Sequence, residues 1–254
     1  MIKEIDFEIA QFSILKKPPK TLFSIGNSSL LNTKMVSIVG TRRPISYTKE
    51  QTLNLSRAFS SIGYTVVSGA AMGVDALAHS GAFPNTIAVM ANSLDIIYPK
   101  VNQKIINDIY KSGFAISEYP NTTKATRYSF VIRNRLVVAL GEILIITEAD
   151  LDSGTMRSAE IAKELGKEIF VLSHRLGQSA GTQKLLDDGD AKLITDIDKF
   201  VGKFGLVKPV VDDEKTFFKS NPSLQDALLR YGDKIYEYEL EGKIEIKNLK
   251  VYLC

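Results

Sequence analysis

From residue 35 onward the chain alternates two hydrophobic rhythms. Unbroken apolar, β-branched runs occur at MVSIVG (35–40), YTVVSG (64–69), TIAVMA (86–91), FAISEY (114–119), EILIITEA (142–149) and EIFVLS (168–173). Between them lie KEQTLNLSRAFSSIG (49–63), GVDALAHSGAF (73–83), VNQKIINDIYKSG (101–113), FVIRNRLVVALG (130–141) and TMRSAEIAKELGK (155–167), whose apolar spacing predicts helices. Gly63, Gly113, Gly141 and Gly166 stand where those helices should stop. Strands that are apolar without alternation are buried on both faces, and helical crossovers join parallel neighbours. The pattern therefore predicts an α/β chain with a parallel sheet covered by helices on both sides.

One predicted helix breaks the rhythm. Arg133, Asn134 and Arg135 run directly into Leu136, Val137, Val138, Ala139 and Leu140. Charges so close to a core need partners. Three consecutive residues cannot share one side of a helix. One arginine is therefore expected to hold an internal carboxylate, while another faces an anion site.

In a parallel sheet of this kind, ligands sit beyond the carboxyl ends of the strands, where loops meet helix N-termini. Those loops here are GTRRPISYT (40–48), SGAAMGVDALAH (68–79), SEYPNTTKATRYSF (117–130) and ADLDSGTMRS (149–158). They are rich in Gly, Ser and Thr, and three carry arginine, a composition suited to phosphate. Gly40, Thr41, Arg42 and Arg43 form the first candidate contact group, set against the plainer reading of solvated loop arginines. Ser68 and Gly69 open a turn whose amides could receive an anion. Arg127, Tyr128 and Phe130 interleave a charge with aromatics, as single-strand binders do, although Phe130 reads equally well as a core residue. Ser153, Gly154 and Thr155 would cap a helix N-terminus. Asp75 and His79, four residues apart, would share a helix face. Without a third metal ligand or a nucleophile beside them, they read as a brace for the loop.

Composition narrows this picture only a little. The 254 residues carry a formal net charge of +3, so any basic surface must arise by clustering. The single cysteine, Cys254, excludes an internal disulfide, and two histidines, His79 and His174, make poor material for a metal centre. No metal and no cofactor is expected. Nor does any stretch approach about 18 uninterrupted apolar residues, and MIKEIDFEIA has acids where a signal peptide would be basic then apolar. A cytoplasmic protein with no membrane partner is expected.

The motifs VGTRRPISYT, VVSGAAMGVDALAH, SEYP, FVIRNRLVVAL, SGTMRSAEIAKELGKEIFVL and GTQKLLDDGDAKLI, in this order, resemble the DNA-processing protein A (DprA/Smf) family over roughly residues 20 to 200. The resemblance implies an extended Rossmann-like fold and binding of single-stranded DNA. It also implies a homodimer and a role in loading RecA recombinase during natural transformation. It places phosphate contacts at Arg42 and Arg127 and base stacking at Phe130.

A competing enzyme reading comes from SGT (153–155). It is similar to the Pro-Gly-Gly-x-Gly-Thr-x-x-Glu motif of Rossmann-like phosphoribohydrolases that process nucleotides. Here Ser158 stands in the place of that glutamate, which removes the obvious acid for glycosidic cleavage. A non-enzymatic DNA-binding protein is the expectation, with nucleotide hydrolysis as the alternative. The chain is divided as an N-terminal segment (1–34, with KKPPK), the Rossmann-like domain (35–205), a linker (206–215) and a small C-terminal winged-helix-like domain (216–254). The near balance of acids and bases in the last of these argues against strong independent DNA binding.

Overall fold

The computed structural model describes residues 1–205 and 217–253; the linker expected at 206–215 lies outside the described residues. The chain divides into two compact units, Met1–Lys208 and Pro209–Cys254.

The first unit is built on a nine-stranded sheet. Its strands are β1 (Lys3–Glu4), β2 (Phe23–Gly26), β3 (Met35–Val39), β4 (Thr65–Gly69), β5 (Thr86–Val89), β6 (Phe114–Ser117), β7 (Leu144–Ile146), β8 (Ile169–Leu172) and β9 (Lys192–Ile194). The spatial order is β1-β2-β6-β5-β4-β3-β7-β8-β9, parallel from β6 through β9 and antiparallel at β1 and β2. The segment 1–34 thus contributes two strands to this sheet. Six helices connect the strands, α1 (Ser46–Ser61), α2 (Val74–Ala82), α3 (Gln103–Ser112), α4 (Arg127–Leu140), α5 (Gly154–Glu164) and α6 (Ala180–Asp187), and α7 (Ile197–Val201) follows β9.

Side-chain alternation sorts the core into layers. Val36 and Ile38 of β3 pack with Leu55 and Phe59 of α1, Val74 and Ala78 of α2 and Phe200 of α7. Met35 and Val39 point the other way and join Leu136, Val137 and Leu140 of α4 and Ala159 and Ala162 of α5. All five β3 residues are buried, which is why the strand reads as an unbroken apolar run.

The helix expected from residue 130 starts at Arg127, one turn earlier, because Thr126 and Ser129 form a reciprocal capping box. Its far end is held by Lys167, whose ammonium donates to the carbonyls of Ala139 and Gly141. A cation at a helix C-terminus is favourable. Burial lowers the Lys167 pKa to about 8. Both ends of α4 are therefore fixed, and α4 carries much of the site described next.

The second unit has helices α8 (Leu224–Tyr231) and α9 (Lys234–Leu240) followed by the hairpin β10 (Ile244–Lys247) and β11 (Lys250–Leu253). Phe218, Ala227, Ile235, Ile244 and Val251 form its small core. Among the described residues of this unit, the helices pack on the hairpin through that core.

Candidate nucleic-acid interface

The chain winds outward from β3 through β4, β5 and β6, then returns to the other side of β3 with β7, β8 and β9. The direction changes between β3 and β7, so the loops after these strands part and leave a crevice at their carboxyl ends. A cleft of about 720 Å3 occupies this place. Its walls come from Gly40–Arg42 after β3, Gly69 at the end of β4 and Ala71 beyond it, the N-terminal half of α4, and Ser153–Thr155 at the start of α5.

The first wall is pinned by its backbone. The Thr41 amide donates to the Glu148 carbonyl (2.8 Å), the Val74 amide to the Thr41 carbonyl (3.1 Å), and the Ile45 amide to the Glu148 carboxylate (3.1 Å). Gly73 has φ +80°, and a Cβ there would lie 2.4 Å from the Thr41 carbonyl oxygen. Only glycine lets the α2 loop and the Arg42 loop meet this closely. The base of Arg42 is thereby fixed while its side chain is exposed.

Across the cleft, α4 opens with exposed Arg127 and Tyr128 and half-buried Phe130. The Arg42 guanidinium lies 5.0 Å from the centre of the Phe130 ring and that of Arg133 lies 5.9 Å from it. Tyr98, an exposed ring from the loop after β5, approaches Phe130 at 6.2 Å between centroids with a 50° tilt. Phe130 is thus neither a fully buried core ring nor a bare platform; cations and a second aromatic surround it. Among the described residues, neither Arg42 nor Arg127 makes an ion pair.

Arg133 forms the floor and is buried. Its Nη1 donates to the Val89 carbonyl and its Nε to Asn134 Oδ1 (3.3 Å), while Nη2 lies 4.0 Å from Asp75 Oδ2. Burial pushes the Asp75 carboxyl above its usual range, and the Arg133 charge and the Ala71 amide pull it back. Arg135 is bound to Glu118 (2.5 Å). Arg135 is thus committed to a carboxylate outside the cleft lining, while Arg133 lines the cleft and also neighbours Asp75. The positions differ because residue 133 passes over the start of α2 and residue 135 over the loop after β6. Asn134 also lines the cleft and donates to the Gly154 carbonyl (3.3 Å), joining α4 to α5.

The remaining candidates divide. Gly40, Thr41, Arg42, Gly69, Arg127, Phe130, Arg133, Asn134, Ser153, Gly154 and Thr155 all line the one cleft. Ser68 does not: it is a β4 residue whose hydroxyl donates to the Ile38 carbonyl (2.7 Å) inside the sheet. Arg43 points into a neighbouring depression. The turn after β4 is partly self-satisfied, since the Ala71 amide already donates to Asp75 (3.3 Å). His79 fastens the same turn: its Nε2 meets the Gly69 carbonyl (2.9 Å) and its Nδ1 the Thr86 hydroxyl (2.7 Å). Because a carbonyl only accepts, Nε2 carries a proton toward Gly69, while the Thr86 hydroxyl beside Nδ1 also donates to the Val66 carbonyl (2.8 Å). Burial lowers the His79 pKa to about 4, so the ring is neutral. Ser153 caps α5 by accepting from the Met156 amide, and α5 has no acid in its first turn. Ser158, at the position where a hydrolase would need its glutamate, lines the cleft with a hydroxyl only. Tyr98 is the cleft residue that the sequence motifs passed over. Its signal was present: an aromatic in a loop at the same carboxyl edge as the other four.

The family model described as DNA recombination-mediator protein A matches residues 6–205. The chain is 33% identical over 207 residues to Protein Smf of Synechocystis, covering 78% of this chain and 52% of that protein. It is 33% identical over 178 residues to the DNA processing protein DprA of Bacillus subtilis, covering 68% and 60%. The chain thus spans little more than half the length of these two relatives. Among solved structures it is similar to DNA processing protein A from Helicobacter pylori, described for its unique single-stranded DNA binding mode. The two share 43% identity with a TM-score of 0.79, covering 80% of this chain and 95% of that one. DprA from Streptococcus pneumoniae has 29% identity and a TM-score of 0.74, covering 81% and 75%.

Proposed function

The chain belongs to the DNA recombination-mediator protein A family, and we propose that it binds single-stranded DNA in the β3/β7 cleft without catalysing a reaction. Its role would be to protect incoming DNA and help load RecA recombinase during natural transformation, in the cytoplasm. One observation carries the DNA-binding part: Arg42 and Arg127, without an ion pair among the described residues, line a crevice at helix N-termini together with the aromatic pair Tyr98 and Phe130. Such a site can take phosphates by charge and a base by its face, independent of sequence. The single-strand binding mode of the 43%-identical relative supports the same ligand. Loading of RecA rests on the family resemblance alone. The non-enzymatic reading is supported by Ser158, because a hydroxyl in that place cannot serve as the acid for glycosidic cleavage.

The test is a titration of labelled oligonucleotides over a salt series, with a nucleoside monophosphate hydrolysis assay beside it. Single-strand affinity should fall steadily with salt. Arg42→Ala should flatten the slope by about 0.7, one phosphate's share on a single strand. An unaltered slope in a folded Arg42→Ala protein rejects the contact, and release of base from a monophosphate rejects the non-enzymatic reading.

Phe130→Ala should cost about 1–3 kcal/mol of binding, the usual worth of a base–aromatic contact. Because the ring is half-buried, its melting temperature should drop less than for a core phenylalanine, whose truncation costs about 3–5 kcal/mol. A variant that melts far lower yet binds normally while folded would remove Phe130 from the interface.

We also place a homodimer contact on the region 181–194, where the edge strand β9 carries Leu193 at 43% exposure. An unpaired sheet edge with an exposed apolar side chain is a pairing surface, and closed twofold symmetry would give two DNA sites per particle. Light scattering at about tens of micromolar, a concentration suited to a modest interface, should report twice the 28.1 kDa chain mass. A purely monomeric signal there contradicts it.

A further inference from the structure

Beside the cleft lies a second depression, of about 470 Å3, walled by Arg42, Arg43, Pro44, Lys49, Ala76 and Leu77. Arg42 lines both spaces, so its side chain stands between them. The floor is α2: Ala76 and Leu77 face the depression, whereas Asp75 is turned inward to Arg133. No carboxylate lines it, although three cations do. Glu148, just past the neighbouring strand end, has an oxygen engaged by the Ile45 amide and stands outside the lining. Arg43 and Lys49 are exposed, and among the described residues neither makes an ion pair. The backbone beneath them is fixed: the Arg43 amide donates to Thr41 Oγ1 (3.3 Å) and the Lys49 amide to the Ile45 carbonyl (3.0 Å).

Three like charges held together without a counter-charge repel one another, and each loses that repulsion when an anion arrives. The depression has no aromatic wall, and its apolar floor is shallow, so it suits a sugar–phosphate backbone and not a base. We propose that Arg43 and Lys49 form a second phosphate subsite, which takes the backbone of a single strand where it leaves the cleft past Arg42. This rests on the reading of the cleft as a single-strand site. It adds a direction: the strand runs from the α4/α5 side across Arg42 toward the N-terminal turn of α1.

The experiment compares a short (roughly 4-nucleotide) and a long (roughly 16-nucleotide) labelled oligothymidylate, the range of single-strand site sizes. Wild type, Lys49→Ala and Lys49→Arg are titrated by fluorescence anisotropy at several salt concentrations, with melting curves to confirm folding. On the long strand, Lys49→Ala should bind roughly threefold or more weakly at low salt, with the salt slope reduced by about 0.7. On the short strand, held by the cleft alone, its affinity should match wild type. Lys49→Arg should restore the long-strand affinity, and Arg43→Ala added to Lys49→Ala should deepen the long-strand loss. Equal long-strand affinity and slope for wild type and Lys49→Ala overturn the subsite and leave the cleft reading intact. An equal loss on both strands overturns it as a separate subsite. Failure of wild type to bind either strand overturns the cleft reading itself.

Discussion

Arg133→Ala should lower the unfolding free energy by about 3–5 kcal/mol, the cost of removing one partner from a buried ion pair. The magnitude follows from what remains behind. Asp75 would keep a buried carboxylate with the Ala71 amide as its main fixed donor, and the Val89 carbonyl would lose the Nη1 hydrogen bond. The pair itself is loose, at 4.0 Å, so direct attraction is the smaller part and uncompensated burial the larger. Gly69 belongs to the same arrangement: a Cβ there would lie 2.3 Å from Asp75 Oδ2 and 2.4 Å from Arg133 Nη2. The acid and the guanidinium pack directly on that backbone. Adding Asp75→Ala to Arg133→Ala should return part of the lost stability, because the stranded charge goes with it. Denaturant unfolding of the two single variants and the double variant measures this. A single-variant loss under about 1 kcal/mol, or a double-variant loss equal to the sum, would mean that the pair is not coupled.

That network explains which parts of the site could be read in advance. Strands β3 to β8 were legible because burial on both faces leaves continuous apolar runs. Strand β2 (Phe23–Gly26) is half-exposed in the antiparallel part of the sheet, and β9 has two exposed residues of three, so neither produces a run. The loops were legible for a different reason: the winding of a parallel sheet fixes which ends of the strands hold ligands. The direction of single side chains was not. Ser68 sits at the last turn of a strand, where a one-residue shift decides between sheet interior and open cleft, and its hydroxyl serves the interior. Arg133 and Arg135 were recognisable as charges in need of partners, yet the partners, Asp75 and Glu118, come from distant segments that only the fold brings near. Tyr98 carries no motif of its own. It joins the site because its loop leaves β5 at the shared edge and brings its ring against Phe130.

The same buried cluster should make stability depend on pH through His79. The folded-state pKa is about 4 against 6.5 for an unperturbed ring, because burial disfavours the cation and Arg133 adds like-charge repulsion. Between these two values the unfolded chain binds the proton and the folded chain does not, so stability rises with pH across that window. It should be fully present above about pH 6.5 and decline as the pH falls toward 4, by about 3 kcal/mol in all. Asp75 works in the opposite sense. Its raised pKa means that the folded state holds a proton more readily than the unfolded chain, so its contribution falls as the pH rises from the ordinary carboxylate range. The observed profile is the sum of the two, and the difference between wild type and His79→Gln isolates the histidine. His79→Gln should be less stable than wild type at pH 7, having lost at least one hydrogen bond to Gly69 or Thr86, but its stability should change less between pH 6.5 and 4.5. Arg133→Ala should flatten the same window in part, since the repulsion that helps keep His79 neutral is gone. Urea unfolding at several pH values measures all three proteins. Parallel profiles for wild type and His79→Gln would mean that the ring titrates alike in both states, and the Gly69 turn would then owe nothing to a neutral His79.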